Sequence, residues 1–420
     1  MGWKDIPLFK NVTEEQWNDW RWQWSHRIES AVALSQVIPL DGEAVAGIEK
    51  ALTRVRMAIT PYYASLIDPN DVNCPVRLQA VPRGFEADVK PWESVDPLDE
   101  DADSPVEGLV HRYPDRVLFL VTELCSMYCR HCTRRRVVGV RDSVASNERL
   151  ERGYEYIRAH KEVRDVLVSG GDPFTLSDEH LEQIVSTLRA IPHVEIIRIG
   201  TRVPVVMPQR VTNELASMLA KYHPVYVNTH FNHPKEITPE TTRACAILAD
   251  HGIPLGNQSV LLRGVNNCPV VMKDLVRGLV RIRVKPYYLY QCDLTWGLDH
   301  FRTTVSEGLE IMESLRGHTS GFSVPTYVVD APGGGGKIPL NPSYILTMGE
   351  GTVVVRNYEG VISAYREPRY NPDEKYGADG KCSLCGGDHS AATGVAGLVE
   401  GNNVSLVPEG NKRLMRRKSR

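Results

Sequence analysis

Three cysteines at C-x3-C-x2-C spacing, Cys125, Cys129 and Cys132, stand within Leu124-Cys125-Ser126-Met127-Tyr128-Cys129-Arg130-His131-Cys132-Thr133-Arg134. Iron–sulfur clusters are held by Cys thiolates, and a cubane normally takes four. Three ligands on one loop would leave the fourth iron open to another group. The alternatives are a zinc knuckle or three unrelated buried thiols. Zinc sites usually pair two comparable C-x2-C halves, and no second half lies close to Cys132. A second chemical stretch is Gly333-Gly334-Gly335-Gly336-Lys337. A phosphate loop of the Walker A type needs a glycine at position 331 and Ser or Thr after the lysine; the chain has Ala331 and Ile338. Two readings remain: a flexible loop with an exposed lysine, or a Schiff-base lysine for pyridoxal phosphate, approached closely because glycines carry no side chain. Cys382 and Cys385 form a C-x2-C pair, a half zinc site of structural character with Cys268 as a candidate third ligand.

The elements that must position these groups alternate. The apolar run Val117–Val121 reads as a buried parallel strand, with the thiols on the loop leaving its C-terminal end. Further strands read at 165–168, 195–199, 225–228, 254–261 and 285–290, and helices near 146–160, 178–190, 213–222, 239–251, 270–283 and 306–316. Six βα units imply a parallel sheet with helices outside. Six is short of the eight that close a full barrel, so the expected fold is α/β, a partial (β/α)6 barrel over 110–320. An N-terminal helical region and acidic linker (1–109) and a C-terminal region (321–420) flank it. Polar, glycine-rich residues follow each strand: the cysteine loop, Ser169–Asp172, Gly200–Arg202, Asn228–His230, Asn257–Ser259 and Gln291–Asp293. Ligands of parallel α/β folds bind at that face.

In the first region, Thr13 and Gln16 fit a capping box, and Trp17, Trp20, Trp22 and Trp24 crowd the helix that follows, as core or subunit interface. A second helix reads near 43–57. Between Gly84 and Leu109 nine carboxylates face one lysine, mostly as a solvated linker, although one could face a cationic ligand. A hairpin reads at 351–365, and the basic end Asn411–Arg420 reads as a solvated tail. The 420 residues are 42% hydrophobic and 24% charged with net charge −3, values of a soluble globular protein that argue against general nucleic-acid binding. No apolar run long enough to span a membrane occurs, and the start lacks a signal-peptide core. Nine cysteines without such a signal suit a reducing compartment, so a cytoplasmic location is expected.

At its spacing, with Tyr128 before the second cysteine, the loop resembles that of radical SAM enzymes, in which S-adenosylmethionine chelates the open iron. Together with Trp17–Trp22, His111–Arg116, Ser169–Asp172, Asn228–Pro234 and Asp330–Lys337, the chain is similar over nearly its whole length to the lysine 2,3-aminomutase family. The resemblance implies that Cys125, Cys129 and Cys132 ligate a [4Fe–4S] cluster, and that Gly170, Gly171, Thr201, Arg202, His230 and Gln258 line the S-adenosylmethionine pocket. It implies that Lys337 carries pyridoxal phosphate near Arg112, Tyr113 and Arg116. It gives Arg134 to the substrate carboxylate, and Asp293 and Asp330, with Asp96 nearby, to the substrate ammonium. The implied reaction is migration of the 2-amino group of lysine to C3, started by a 5′-deoxyadenosyl radical and fed by a one-electron reductant such as flavodoxin or ferredoxin. The implied assembly is a homo-oligomer, dimer or tetramer, tied by zinc. In the relatives a further cysteine precedes the C-x2-C pair where this chain has Gly380; Asp379 and His389 are fourth-ligand candidates by proximity.

Related aminomutases act on glutamate, whose carboxylate would meet Asp293 and Asp330. At ~4 Å and an effective dielectric near 20, each like-charge contact costs about 4 kcal/mol, which disfavours glutamate. A guanidinium would satisfy the same pair, so arginine stays open beside lysine, as does a radical SAM reaction of another class.

Overall fold

The computed structural model describes residues 2–139, 143–349, 351–368 and 381–387. They fall into two compact units, Met1–Pro342 and Ser343–Arg420. The N-terminal helices and the barrel therefore share one unit, although the sequence reading drew boundaries near 109 and 320. The tail Asn411–Arg420, Asp379, Gly380 and His389 lie outside the described residues.

The first unit is organised by a nine-stranded sheet in strict sequence order. Its strands are β1 (Leu109–Tyr113), β2 (Arg116–Thr122), β3 (Asp165–Gly170), β4 (Ile196–Gly200), β5 (Val225–Thr229), β6 (Leu255–Leu261), β7 (Val284–Gln291), β8 (Thr326–Ala331) and β9 (Gly336–Pro339). β2 to β8 run parallel, while β1 and β9 pair antiparallel to them at the two edges. The six expected strands and six outer helices are all present. The expectation missed a seventh parallel strand, β8, and both antiparallel edges. β8 follows a helix like the others, but the glycine run after it suggested only a loop.

Alternation along each strand explains the wall. Val117, Phe119 and Val121, then Val166 and Val168, then Ile197 and Ile199, are buried against the helices. Their neighbours Leu118, Leu167, Arg198 and Tyr226 sit in register and line the barrel interior. The period of two thus separates a dry outer shell from an interior that tolerates charge. Close packing also dictates small residues: a Cβ on Gly153 would stand 2.4 Å from the Phe119 ring.

The N-terminal region forms short helices, Glu14–Asn18, Trp20–Ser25, Ala31–Leu34, Gly42–Leu52, Pro61–Ser65 and Pro75–Ala80. The Thr13–Gln16 capping box is present, but the tryptophan-bearing segment is two helices, because Asp19 takes extended backbone and caps the second through Arg21 N–H. Trp17 is buried and stacked on Trp3 at 4.3 Å. The helix expected over 43–57 stops at Leu52.

In the second unit, β10 (Ile345–Gly349), β11 (Thr352–Arg356) and β12 (Ile362–Arg366) form an antiparallel sheet. The expected hairpin is its β11–β12 half.

Two glycines fix the cysteine loop to the sheet. Gly170, at φ +135°, and Gly171 cross under the chain leaving β2, where a Cβ on either would lie 2.1 Å from a carbonyl oxygen, of Thr122 or of Leu124. Gly171 N–H donates to Thr122 O and Asp172 N–H to Leu124 O, each at 2.6 Å. Gly171→Ala is expected to lower stability by about 1–3 kcal/mol through overpacking, read as a fall in Cm at unchanged m in urea.

Candidate functional site

The cysteine loop has no regular structure of its own. Its backbone is held from the N-terminal region: Tyr128 N–H donates to Ala58 O at 3.1 Å and Arg130 N–H to Gln79 O at 2.9 Å. Arg27 donates to Cys125 O at 2.8 Å. Beneath the loop, the buried carboxylate of Glu86 accepts from Arg130 at 2.6 Å and from Arg135 at 3.2 Å. Burial alone would raise the Glu86 pKa, but the two guanidiniums, Arg130 above all, hold it below the usual carboxylate range. The loop thiols lie within electrostatic reach of one another: burial pushes the Cys125 pKa up, and Cys132 and Cys129 add to the rise. Three thiols on one pinned loop at the C-terminal end of β2 suit a cluster bound through three corners.

Around them stands a polar shell. Arg202, buried after β4, donates to Cys129 Sγ at 2.7 Å. Asp172 accepts from Thr201 Oγ1 at 2.6 Å and from Arg202 N–H at 2.7 Å, tying the ends of β3 and β4 together. His131 and His230 face each other through their Nε2 atoms at 3.2 Å. Burial drives both imidazoles toward the neutral form, His230 to about 3.

A cavity of ≈ 1170 Å³ opens beside this shell and continues down the barrel interior. Its lining includes Arg112, Tyr113, Arg116, Arg134, His230, Gln258, Asp293, Asp330 and Lys337. Lys337 lies on β9 opposite Asp330 of β8, rather than in a loop, with its Nζ 3.4 Å from Asp330 Oδ1. The turn between these strands needs Gly333, Gly334 and Gly336, all at positive φ. Across the seam between the sheet edges, Lys337 N–H donates to the Tyr113 hydroxyl at 3.0 Å. Arg112 is ion-paired with buried Asp103 at 2.9 Å, and Arg116 lies over the Tyr113 ring at 4.0 Å. A primary amine flanked by an aromatic ring and two guanidiniums fits an aldehyde cofactor bearing a phosphate.

Asp293 accepts from Thr133 Oγ1 at 3.2 Å. Burial, then the charge of Asp330, raises its pKa to about 7. Arg134 is held by Glu100, with Nη2 at 2.8 Å and Nε at 3.1 Å from its carboxylate.

The structure brings together most of the residues named from sequence, with differences. Asp96 is ion-paired with Arg136 at 3.3 Å and is not among the cavity-lining residues; Glu100, four residues on, is. Gly170, Gly171, Thr201 and Arg202 shape the cysteine loop and do not line the cavity. Sequence reasoning missed Glu86, Glu100 and Glu236, and placed Asp172 in a strand-end cluster without giving it a role. The acidic run before β1 signalled that some carboxylate would turn inward without saying which. Cys268 is exposed in the first unit, while Cys382 and Cys385 belong to the second. Among the described residues no group of three or more His, Cys, Asp or Glu converges to hold a single metal ion, and the fourth-ligand candidates Asp379 and His389 lie outside them.

Glu86→Ala would leave two buried guanidiniums unpaired, and a loss of about 3–5 kcal/mol in unfolding free energy is expected, measured by urea denaturation.

Comparison with known proteins places these features in a lineage. A radical SAM superfamily model matches residues 119–275, and a lysine-2,3-aminomutase model matches residues 312–420. An L-lysine 2,3-aminomutase of Clostridium subterminale is 58% identical over 408 residues, 97% of each chain. A glutamate 2,3-aminomutase of Clostridioides difficile is 50% identical over 359 residues, 85% of each chain. A radical SAM methyltransferase structure from Sphaerobacter thermophilus aligns with TM-score 0.41 and 17% identity, covering 53% of this chain and 68% of that one.

Proposed function

This chain belongs to the lysine 2,3-aminomutase family of radical SAM isomerases, and from that premise we propose that it interconverts L-lysine and β-lysine by moving the 2-amino group to C3. The observation that carries the choice of substrate is the pair Asp293 and Asp330 in the same cavity as Arg134 and Lys337. An α-amino acid with a distant cationic end matches that charge pattern: carboxylate to Arg134, ammonium to the two aspartates. The planar guanidinium fork suits the carboxylate, and Glu100 fixes its orientation from the other side.

When bound, the cluster with S-adenosylmethionine would supply a carbon-centred radical by one-electron cleavage, and pyridoxal phosphate, stored on Lys337 and handed to the substrate amine in exchange for the lysine amine, would hold the migrating nitrogen. Cys125, Cys129 and Cys132 would hold the cluster, and His230 and Gln258, which line the cavity, would face S-adenosylmethionine. Arg112, Tyr113 and Arg116 would hold pyridoxal phosphate at the barrel seam. The remaining task of the chain is to fix the substrate at both ends and keep water from the radical.

A one-electron reductant of the flavodoxin or ferredoxin kind belongs to this reading, as does a reducing, cytoplasmic setting, in keeping with the odd count of nine cysteines in the sequence. A homo-oligomer is supported by the exposed apolar side chains Ile345, Met348, Ile362 and Tyr365 on the small sheet.

The test is anaerobic turnover of protein reconstituted with iron, sulfide and pyridoxal phosphate, given S-adenosylmethionine and dithionite. L-Lysine, L-arginine and L-glutamate are offered separately. β-Lysine from lysine is expected, with no product from glutamate. Turnover of glutamate alone would overturn the assignment of the aspartates, and preferred turnover of arginine would move the substrate while keeping the chemistry.

A pH profile follows from Asp293. Its pKa near 7 lies above the usual carboxylate range, so the ammonium-binding anion is lost as pH falls through 7. Accordingly kcat/KM for lysine should rise through pH 7, and Asp293→Asn should flatten that limb. The variant should also lower kcat/KM about ten- to a hundredfold, the equivalent of one charged hydrogen bond.

A further inference from the structure

We infer that Arg202 tunes the reduction potential of the cluster on the cysteine loop by donating a charge-assisted hydrogen bond to the Cys129 sulfur. The inference rests on the cluster reading of Cys125, Cys129 and Cys132.

The geometry leaves Arg202 little else to do. Its Nη1 lies 2.7 Å from Cys129 Sγ. Its Nη2 donates to Gln79 Oε1 at 2.6 Å and Glu236 Oε1 at 2.9 Å, and its Nε to His230 O at 3.2 Å. The Tyr63 hydroxyl closes the ring of partners at 3.4 Å. The guanidinium is buried, turned toward the sulfur, and absent from the cavity lining where a substrate-binding group would stand.

One-electron reduction adds a negative charge to a cluster. A fixed cation in a low-dielectric setting favours the reduced form, and hydrogen bonds to the sulfurs are among the terms that set such potentials. Glu236 works against this. It is fully buried, and besides Arg202 it accepts from Tyr63 OH at 2.7 Å and from Asn232 N–H at 2.6 Å. Its negative charge offsets part of the guanidinium field at the sulfur. Arg202 and Glu236 therefore act in opposite senses on one sulfur, and their balance decides how readily an electron from the external reductant is accepted.

A purely structural role, filling a buried site and neutralising Glu236, predicts no such opposition. Arg202→Lys keeps a cation for Glu236 but gives up the planar fork that reaches both carboxylate and sulfur. Glu236→Gln removes the offsetting charge and leaves Arg202 in place. Each protein is reconstituted anaerobically, its iron and sulfide are measured, and its midpoint potential is taken by EPR-monitored titration. The expected result is a tenfold lower equilibrium constant for reduction in Arg202→Lys, about 59 mV for a one-electron couple, and an upward shift in Glu236→Gln. Unchanged potentials, or shifts of the same sign, at full iron and sulfide content would overturn the inference. If Arg202→Lys fails to assemble a cluster, the sign of the Glu236→Gln shift decides. Wild-type protein that takes up no iron would instead overturn the cluster reading.

Discussion

The carboxylate of Glu86, gripped from two directions by Arg130 and Arg135, is the interaction on which the cysteine loop depends. The loop carries no ladder of its own, so its shape has to be imposed from outside. Arg130 lies between the second and third cysteines and Arg135 just beyond the third, so one buried acid restrains both ends of that spacing. An ion pair at 1% exposure on both sides is costly to desolvate, and its value is in making other loop shapes worse. Glycines 170 and 171 add the complementary constraint from the sheet side, admitting the loop close enough for backbone hydrogen bonds.

The barrel is shaped by its two edges. Because β1 and β9 each run against their neighbours, the sheet ends in hairpins instead of closing strand on strand. The hydroxyl of Tyr113 bridges the gap to Lys337 N–H. That seam is where the amine, two guanidiniums and an aromatic ring meet. Across the same cavity, Glu100, Asp293 and Asp330 concentrate negative charge, balanced by Arg134 and Lys337. Such a field discriminates by charge before shape, which is why a chain 50% identical to a glutamate enzyme can be read as one for a cationic amino acid.

Much of this was legible in the sequence where a local pattern has one structural meaning. The runs at Val117 and Val166, the helical stretches after them and the C-x3-C-x2-C spacing each pointed to elements found within a few residues. What escaped was decided by distant partners. Asp96 and Glu100 look alike in an acidic run, and only the folded chain shows one on Arg136 and the other on Arg134. Arg202 follows a strand as a ligand-binding residue should, yet its donors point at a sulfur, a protein carbonyl and buried acceptors. The glycine run before Lys337 read as a loop because positive-φ turns and flexible linkers share a composition. The register that places Lys337 against Asp330 is set by β8, which periodicity alone did not reveal.

The order of the strands also has a meaning in time. Because the sheet follows the sequence without a crossover out of order, a chain made at ~5–20 residues per second exposes Cys132 roughly 10–40 s before Lys337. Glu86 is already synthesised by then, whereas Arg202, Glu236 and the seam-closing β9 are not. The thiols therefore leave the ribosome after the acid that pins their loop and before the residues that wall it in, and the β8–β9 edge that carries the lysine is among the last parts of the unit to be made.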